Sequence, residues 1–422
     1  MTNARQQAGL KMRRGAGSAM LAFVLIFGLG VVTTQSAEAQ TFTVLYNFAR
    51  QPDGRYPFAS LIRDVAGNLY GTTWEGGSLY EGAVFKLSKS GKETVQHSFS
   101  AYPSDGAAVS AGLVRDAAGN LYGTTVSGGS DHGKFDNGTV FKLSKSGKET
   151  LLHIFLGSPD GKAPYGTLVR DADGNLYGTT AEGGVTGGAC GAYGCGTVFK
   201  VDKNGIETVL YRFTGGDGEH PIAGLVTDAK GNLYGTSEWG GSGTACEYGC
   251  GTVFELSKTG EETVLYSFTG QPDGANPLAG LIMDSKGNLY GATFYGGNSA
   301  CPYGCGTVFE LSNKGQESVL YSFCAASGCS DGAYPSGSVI MGAKGNLYGT
   351  TYEGGNSACD GGCGTVFELS DTGKETVLHS FRGAADGKYP FDGLIWDRKG
   401  SLYGTARGGG ASDYGTVWKL TP

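Results

Sequence analysis

The chain has 422 residues, with 32 Lys and Arg against 39 Asp and Glu, a formal charge of −7, and 77 glycines. An acidic balance of this kind does not suit nucleic acid or anionic lipid as a partner. Length alone, at roughly 150 residues per domain, suggests two or three domains, but an internal repeat overrides that reading.

Residues 1–39 read as an export signal and not as part of the fold. Arg5, Lys11, Arg13 and Arg14 form a basic start, residues 19–32 an apolar core, and Ala37-Glu38-Ala39 a small-x-small cleavage site. The apolar run is shorter than the roughly 20 residues that span a bilayer, so a signal is expected and a retained anchor is not. Cleavage removes four basic residues and Glu38, leaving 28 basic against 38 acidic residues over 40–422. No second hydrophobic stretch approaches spanning length. The expected product is secreted or periplasmic, without a membrane span, and monomeric.

Over residues 40–422 the motif Gly-Asn-Leu-Tyr-Gly recurs, intact or nearly so, with its Tyr at 70, 122, 177, 234, 290, 348 and 403. Seven copies at a nearly constant period of 52 to 58 residues indicate one radial or stacked repeat domain. Each unit holds four strand-like runs separated by Gly, Asp, Asn and Ser clusters. In the fifth unit they are residues 277–283, 288–293, 306–311 and 317–323. The first-to-second and third-to-fourth connections are short, Gly-bearing hairpin turns. The reading is all-β: a seven-bladed β-propeller with four antiparallel strands per blade.

The chain ends support a closed ring. Six units finish with a fourth strand of the E-T-V-L-Y-S-F type, from 93–99 to 375–381. The seventh stops after its third strand, 415–420, whereas residues 41–48 (T-F-T-V-L-Y-N-F) form an unattached strand of the missing type. Docked onto the last blade, the N-terminal strand completes it. An open solenoid would instead need polar caps, and none is visible.

The units, built on G-N-L-Y-G-T-T, a following Gly-Gly and G-T-V-F-x-L, resemble the GloVer tandem-repeat family of exported bacterial proteins, from Thr41 to Pro422. The second-strand motif is also similar to the propeller repeats of sensor kinases. Membership implies an exported propeller-like protein and no known reaction.

Alternating strand direction places the uniform short turns on one face of the ring. The second-to-third loops, which begin Gly-Gly, and the blade-to-blade loops lie on the other face, where variable binding loops are expected. All ten cysteines fall there as close pairs: Cys190/Cys195, Cys246/Cys250, Cys301/Cys305, Cys324/Cys329 and Cys359/Cys363. Five intraloop disulfides are expected in place of metal sites, because the pairs sit in separate loops without nearby His. The calcium-like Asp171-Ala172-Asp173-Gly174-Asn175 is read as a hairpin turn, since the later bidentate acid is missing. Seven Asp-Gly pairs, at Asp53, Asp105, Asp160, Asp217, Asp273, Asp331 and Asp386, are read as turns into the innermost strand. The alternative is that some rim the central channel and hold calcium; no other cofactor is expected.

Catalytic constellations are sparse. His97, His153 and His379 share the fourth-strand place filled elsewhere by Tyr46, Tyr211, Tyr266 and Tyr321, and are read as scaffold. His132, near Asp136, and His220, beside Glu219, break the repeat and are the candidate general bases. Just after the second strand, aromatics stand beside carboxylates: Trp74-Glu75, Glu238-Trp239 and Tyr352-Glu353, with Tyr295 at the equivalent place. Rings beside acceptors suit the apolar faces and hydroxyls of sugars, while packing between blades is the plainer reading. The function expected first is an exported binding module for carbohydrate or cell-envelope material. Its rivals are a propeller enzyme, either a polysaccharide lyase or hydrolase or one similar to virginiamycin-inactivating lyases, and a protein-interaction scaffold.

Overall fold

A computed structural model describes residues 40–49, 51–100, 105–129 and 136–421. The export-signal reading of 1–39 and the candidate His132 lie outside the described residues. Seven four-stranded antiparallel sheets form a seven-bladed β-propeller. In the first blade the strands are Ile62–Arg63, Leu69–Thr73, Ala83–Leu87 and Glu93–Ser98. No α-helix occurs among the described residues, which contain only two short 3-10 turns, Gly188–Cys190 and Ser327–Cys329.

The ring closes through its N-terminal strand. Thr41–Asn47 pairs antiparallel with Thr416–Thr421, from Thr41 opposite Thr421 to Asn47 opposite Thr416. The innermost strands are shorter than the sequence suggests, Ile282–Met283 in place of 277–283. Toward the axis this segment meets the neighbouring blades and has no ladder partner. The Gly112 N–H donates to Thr167 Oγ1 at 2.8 Å, and a Cβ on Gly280 would stand 3.2 Å from the Gly224 carbonyl oxygen.

The repeated letters form one packing device. Phe85, from G-x-V-F, is fully buried, and its ring tip would lie 2.6 Å from a Cβ on Gly71, so the last Gly of the second-strand motif leaves room for that ring. Phe85 in turn receives Phe48 of the preceding blade edge-on, with centroids 5.1 Å apart. The same pairing runs around the ring through Phe99–Phe141, Phe155–Phe199, Phe213–Phe254, Phe268–Phe309 and Phe323–Phe367 to Phe381–Trp418. Each pair is worth about 0.5–1.5 kcal/mol beyond area burial.

The threonines divide their work. Thr72 Oγ1 donates to the Ala111 carbonyl of the next blade at 2.9 Å, and Thr405 does the same to Ala59 across the closure. Thr125 bonds Thr139 within its own blade. In the turns, Asp171 accepts the Asn175 N–H, the Asn175 side-chain amide and the Tyr177 hydroxyl at 2.7 to 3.1 Å, so this calcium-like segment is a closed hairpin turn. Gly342 replaces that Asp in blade six, and Glu368 accepts from Asn346 and Tyr348 there instead.

Candidate functional site

A second, miniature ladder sits at the loop-rich mouth of each blade and sets the pitch of the predicted ligand residues. Arg55 pairs with Glu75 and Lys162 with Glu182, while Glu219 faces Trp239, Ala275 faces Tyr295 and Ala333 faces Glu353. The Gly-Gly motif permits this approach: Gly76 has φ of +90°, and a Cβ on it would lie 2.6 Å from the Asp53 carbonyl oxygen. Directly inside the ladder, Tyr56, Ala108, Ala163, His220, Asn276, Tyr334 and Tyr389 all adopt left-handed backbone, turning the chain down toward the channel.

A cavity of about 450 Å³ opens along the axis and is lined by all seven blades. Phe58, Trp74, Tyr165, His220 and Phe391 stand in its wall, with Ser60, Ser338 and Asp392 nearby. Asp392 replaces the Ala or Gly of other units, a departure not singled out in the sequence. Its carboxylate accepts the Ser60 N–H at 2.7 Å and the Gly393 N–H at 2.6 Å, joining the last blade to the first. The channel leaves part of this residue accessible, yet protein surrounds the carboxyl, and burial raises its pKa against the backbone donors.

Beside the channel, a groove of about 440 Å³ runs between blades four and five, lined by Trp239, Tyr248, Tyr295 and Tyr303. His220 joins the two places: it lines the channel, stacks on Trp239 at 4.3 Å and 12°, and pairs through Nδ1 with Glu238 at 2.7 Å. Trp74 lines the channel and Tyr352 packs behind its wall on Phe391; neither lines the groove. They are linked by successive ring contacts, Trp74–Phe58–Phe391–Tyr352, at 5.6, 5.1 and 5.9 Å. From Tyr352 the arc continues through Phe294 to Tyr295 and Tyr303. Trp74, Trp239, Tyr295 and Tyr352 are all half-buried, so they pack on one another and still present surface.

The acids differ among themselves. Glu75 is held by Arg55 at 2.8 Å and Glu238 by His220, whereas Glu353 has no ionic partner among the described residues and is pushed up by burial and by Asp360. Burial raises Glu219, with His220 opposing it. Asp136 is exposed and accepts the Gly128 N–H, closing its own loop. Tyr193, Tyr248 and Tyr303 crown the loop face at 59 to 74% exposure. Their recurring Tyr-Gly-Cys-Gly context was the sequence signal that could have marked them.

The seven Asp-Gly carboxylates do not line the channel. Asp53 accepts from the Tyr46 hydroxyl and from the Ala49 and Gly54 N–H groups at 2.8 to 2.9 Å, tying the fourth strand to the turn that follows.

Five disulfides join the ten cysteines in the expected pairs: Cys190–Cys195, Cys246–Cys250, Cys301–Cys305, Cys324–Cys329 and Cys359–Cys363. Within the loop face where the sequence places the cysteines, Cys195, Cys250, Cys305 and Cys363 are completely buried. Each stands two residues before the third strand, so its sulfur points down into the blade. Cys195 packs in one core with Val198 and Phe213, and Cys250 in the next with Val253 and Phe268. These bridges therefore anchor loops to the hydrophobic core as well as closing them. One expectation is corrected: two of the pairs are not spatially separate. The second-to-third loop of blade five lies over the loop leaving its fourth strand, which brings Cys301 Sγ within 3.7 Å of Cys324 Sγ.

No curated protein matches the sequence. In fold, the chain is similar to virginiamycin B lyase from Staphylococcus aureus, with 12% identity and a TM-score of 0.57 over 91% of this chain and 99% of that one. It is also similar to the extracellular domain of a hybrid two-component system from B. thetaiotaomicron, with 12% identity and a TM-score of 0.54 over 90% of this chain and 41% of that one. A one-component system's extracellular domain from the same organism matches at 9% identity and a TM-score of 0.55, over 89% and 39%. At such identities these likenesses concern the fold. The Gloeobacter/Verrucomicrobia repeat matches residues 26–190, 130–330 and 242–422. The chain belongs to that repeat family.

Proposed function

We propose that this protein is an exported propeller that binds carbohydrate or other cell-envelope material on its loop-rich face. The observation that carries the reading is the groove where Trp239, Tyr248, Tyr295 and Tyr303 converge beside the channel mouth. Partly exposed rings offer flat apolar surface to sugar faces at low conformational cost. The nearby Glu353, without an ionic partner among the described residues, supplies an acceptor for hydroxyls. Disulfides in five loops and the fold likeness to extracellular domains support export. A glycan array probed with the mature protein tests the reading, followed by calorimetry on any hit with Trp239→Ala and Tyr295→Ala. Absence of any glycan or envelope hit, or hits indifferent to both substitutions, would remove it.

A second reading, catalysis on a polysaccharide, is favoured by the His220–Glu238 pair at the channel wall. Glu238 holds Nδ1 of the cavity-lining His220, which leaves Nε2 available for proton exchange. New unsaturated or reducing sugar ends, lost in His220→Ala while binding persists, would favour it over simple binding.

A further inference from the structure

The seven junctions between fourth strands are variants of one arrangement, and their differences point to a metal site. At each junction a fourth-strand Tyr or His contacts the Asp of the following Asp-Gly, and the first residue of the next blade's fourth strand approaches the pair. Four junctions carry Tyr: Tyr46, Tyr211, Tyr266 and Tyr321 donate their hydroxyls to Asp53, Asp217, Asp273 and Asp331 at 2.6 to 2.9 Å. Two carry His together with Glu, namely His97–Asp105–Glu149 and His153–Asp160–Glu207. In each, one nitrogen and two carboxylate oxygens lie within 4.8 Å of one another. The seventh carries His379 and Asp386 but no Glu, because Phe42 occupies that place and stacks on the imidazole.

We propose that the two His–Asp–Glu junctions each bind one divalent ion of the zinc class, clipping blade one to blade two and blade two to blade three. The proposal is independent of the glycan reading. Donor chemistry supports it: an imidazole with two carboxylates suits Zn²⁺, and a water completes four-coordination. Spacing supports it as well. Bonds of about 2.0 Å at tetrahedral angles hold neighbouring donors roughly 3.3 Å apart, and His153 Nε2 stands 3.2 Å from Asp160 Oδ2 and His97 Nε2 3.4 Å from Asp105 Oδ2. Asp160 Oδ1, Glu207 Oε1 and Glu149 Oε1 are buried without a hydrogen-bond partner, an expensive state that a cation would relieve; the Glu oxygens of the four Tyr junctions share it, so the imidazole nitrogen is what sets these two sites apart. With Asp and Glu ionised and the imidazole neutral, each site carries two negative charges, which one divalent ion balances. Side-chain exposures of 15 to 19% for the His and Asp leave a path for entry. The Tyr junctions lack the nitrogen donor, and the Phe42 junction lacks the third ligand.

The test uses the full mature chain, chelator-treated with its disulfides intact, titrated with Zn²⁺ by calorimetry and with Co²⁺ by visible absorption. Two ions per chain are expected, with a rise in the thermal midpoint on loading. His153→Tyr, which reproduces the side chain of four native junctions, and Glu207→Gln should each leave one ion. His97→Tyr combined with His153→Tyr should leave none. His379→Tyr and His220→Ala should still bind two. Failure of the parent to bind Zn²⁺ in stoichiometric amount overturns the proposal, as does full binding retained by the double Tyr variant with an unchanged thermal midpoint before metal is added.

Discussion

Phe42 stacks face to face on His379, with ring centroids 3.6 Å apart and planes 6° from parallel. The N-terminal strand of the ring thus covers the sixth blade's fourth strand, in the place where every other junction has a Glu. Phe42 also meets Phe381 edge-on at 5.6 Å and packs near Trp418.

Removing residues 41–48 therefore deletes one strand of the last blade and both Phe42 and Phe48 from the closure. The thermal midpoint should fall by many degrees, or the protein should aggregate through the exposed edge of Thr416–Thr421. Scanning calorimetry with light scattering checks this, and a truncated protein as stable as the parent would mean the strand contributes nothing to closure.

Gly291→Ala places a methyl where the Phe309 ring tip stands, 2.7 Å from the ideal Cβ. Overpacking of this kind costs about 1–3 kcal/mol. Denaturant unfolding should show that loss, and adding Phe309→Leu should recover part of it. Additive effects of the two substitutions would break the proposed coupling.

Burial, with an Asp charge close behind it, raises Glu93, Glu262, Glu317 and Glu375 from 4.5 to about 7, and burial with Asp105 does the same for Glu149. Between these two values the folded chain holds protons that the unfolded chain has released. Stability contributed by the protonated form is complete below 4.5 and is lost as pH rises through 7. The midpoint of thermal unfolding, measured without metal, should decline across that window. Glu262→Gln combined with Glu317→Gln should flatten the decline, and an unchanged slope would remove this account.

If the loop face holds the ligand, Trp239→Ala and Tyr295→Ala should each weaken a glycan hit by about 1–2 kcal/mol, as anchors do. Trp74→Ala and Tyr352→Ala should weaken ligands that reach the channel mouth. Lys145→Ala and Lys286→Ala, in the short turns of the opposite face, should leave affinity unchanged. Circular dichroism separates a lost contact from an unfolded blade.

Much of the fold was legible because period and turn chemistry are local. The Tyr spacing gave the blade count, and the unattached strand 41–48 gave the closure. Cys190 to Cys363 paired as near neighbours because spacing alone brings such sulfurs within reach. Spacing does not say which way a sulfur points, so the burial of Cys195 and Cys250 beneath their loops was hidden until the third strand's packing was known. The innermost strands were over-extended, since Pro277 to Leu281 look strand-like but lack a partner near the axis, something only the ring geometry decides. Asp392 escaped notice because one substitution in seven copies gains meaning only when its neighbour across the closure, Ser60, is known. The contact of His153 with Glu207, 54 residues apart, depends likewise on how fourth strands lie over one another.

Each blade presents a buried third-strand aromatic to the blade before it and a terminal Phe to the blade after it, with the accommodating Gly inside the same unit. A duplicated unit therefore brings both halves of its own interface, together with the empty space one of them requires. The ring can lengthen by copying without inventing a contact, and only the junction of Phe42, Phe381 and Trp418 had to be composed once. Change in such a chain should accumulate in the loops above the mouth, where the repeated interblade pair makes no demand.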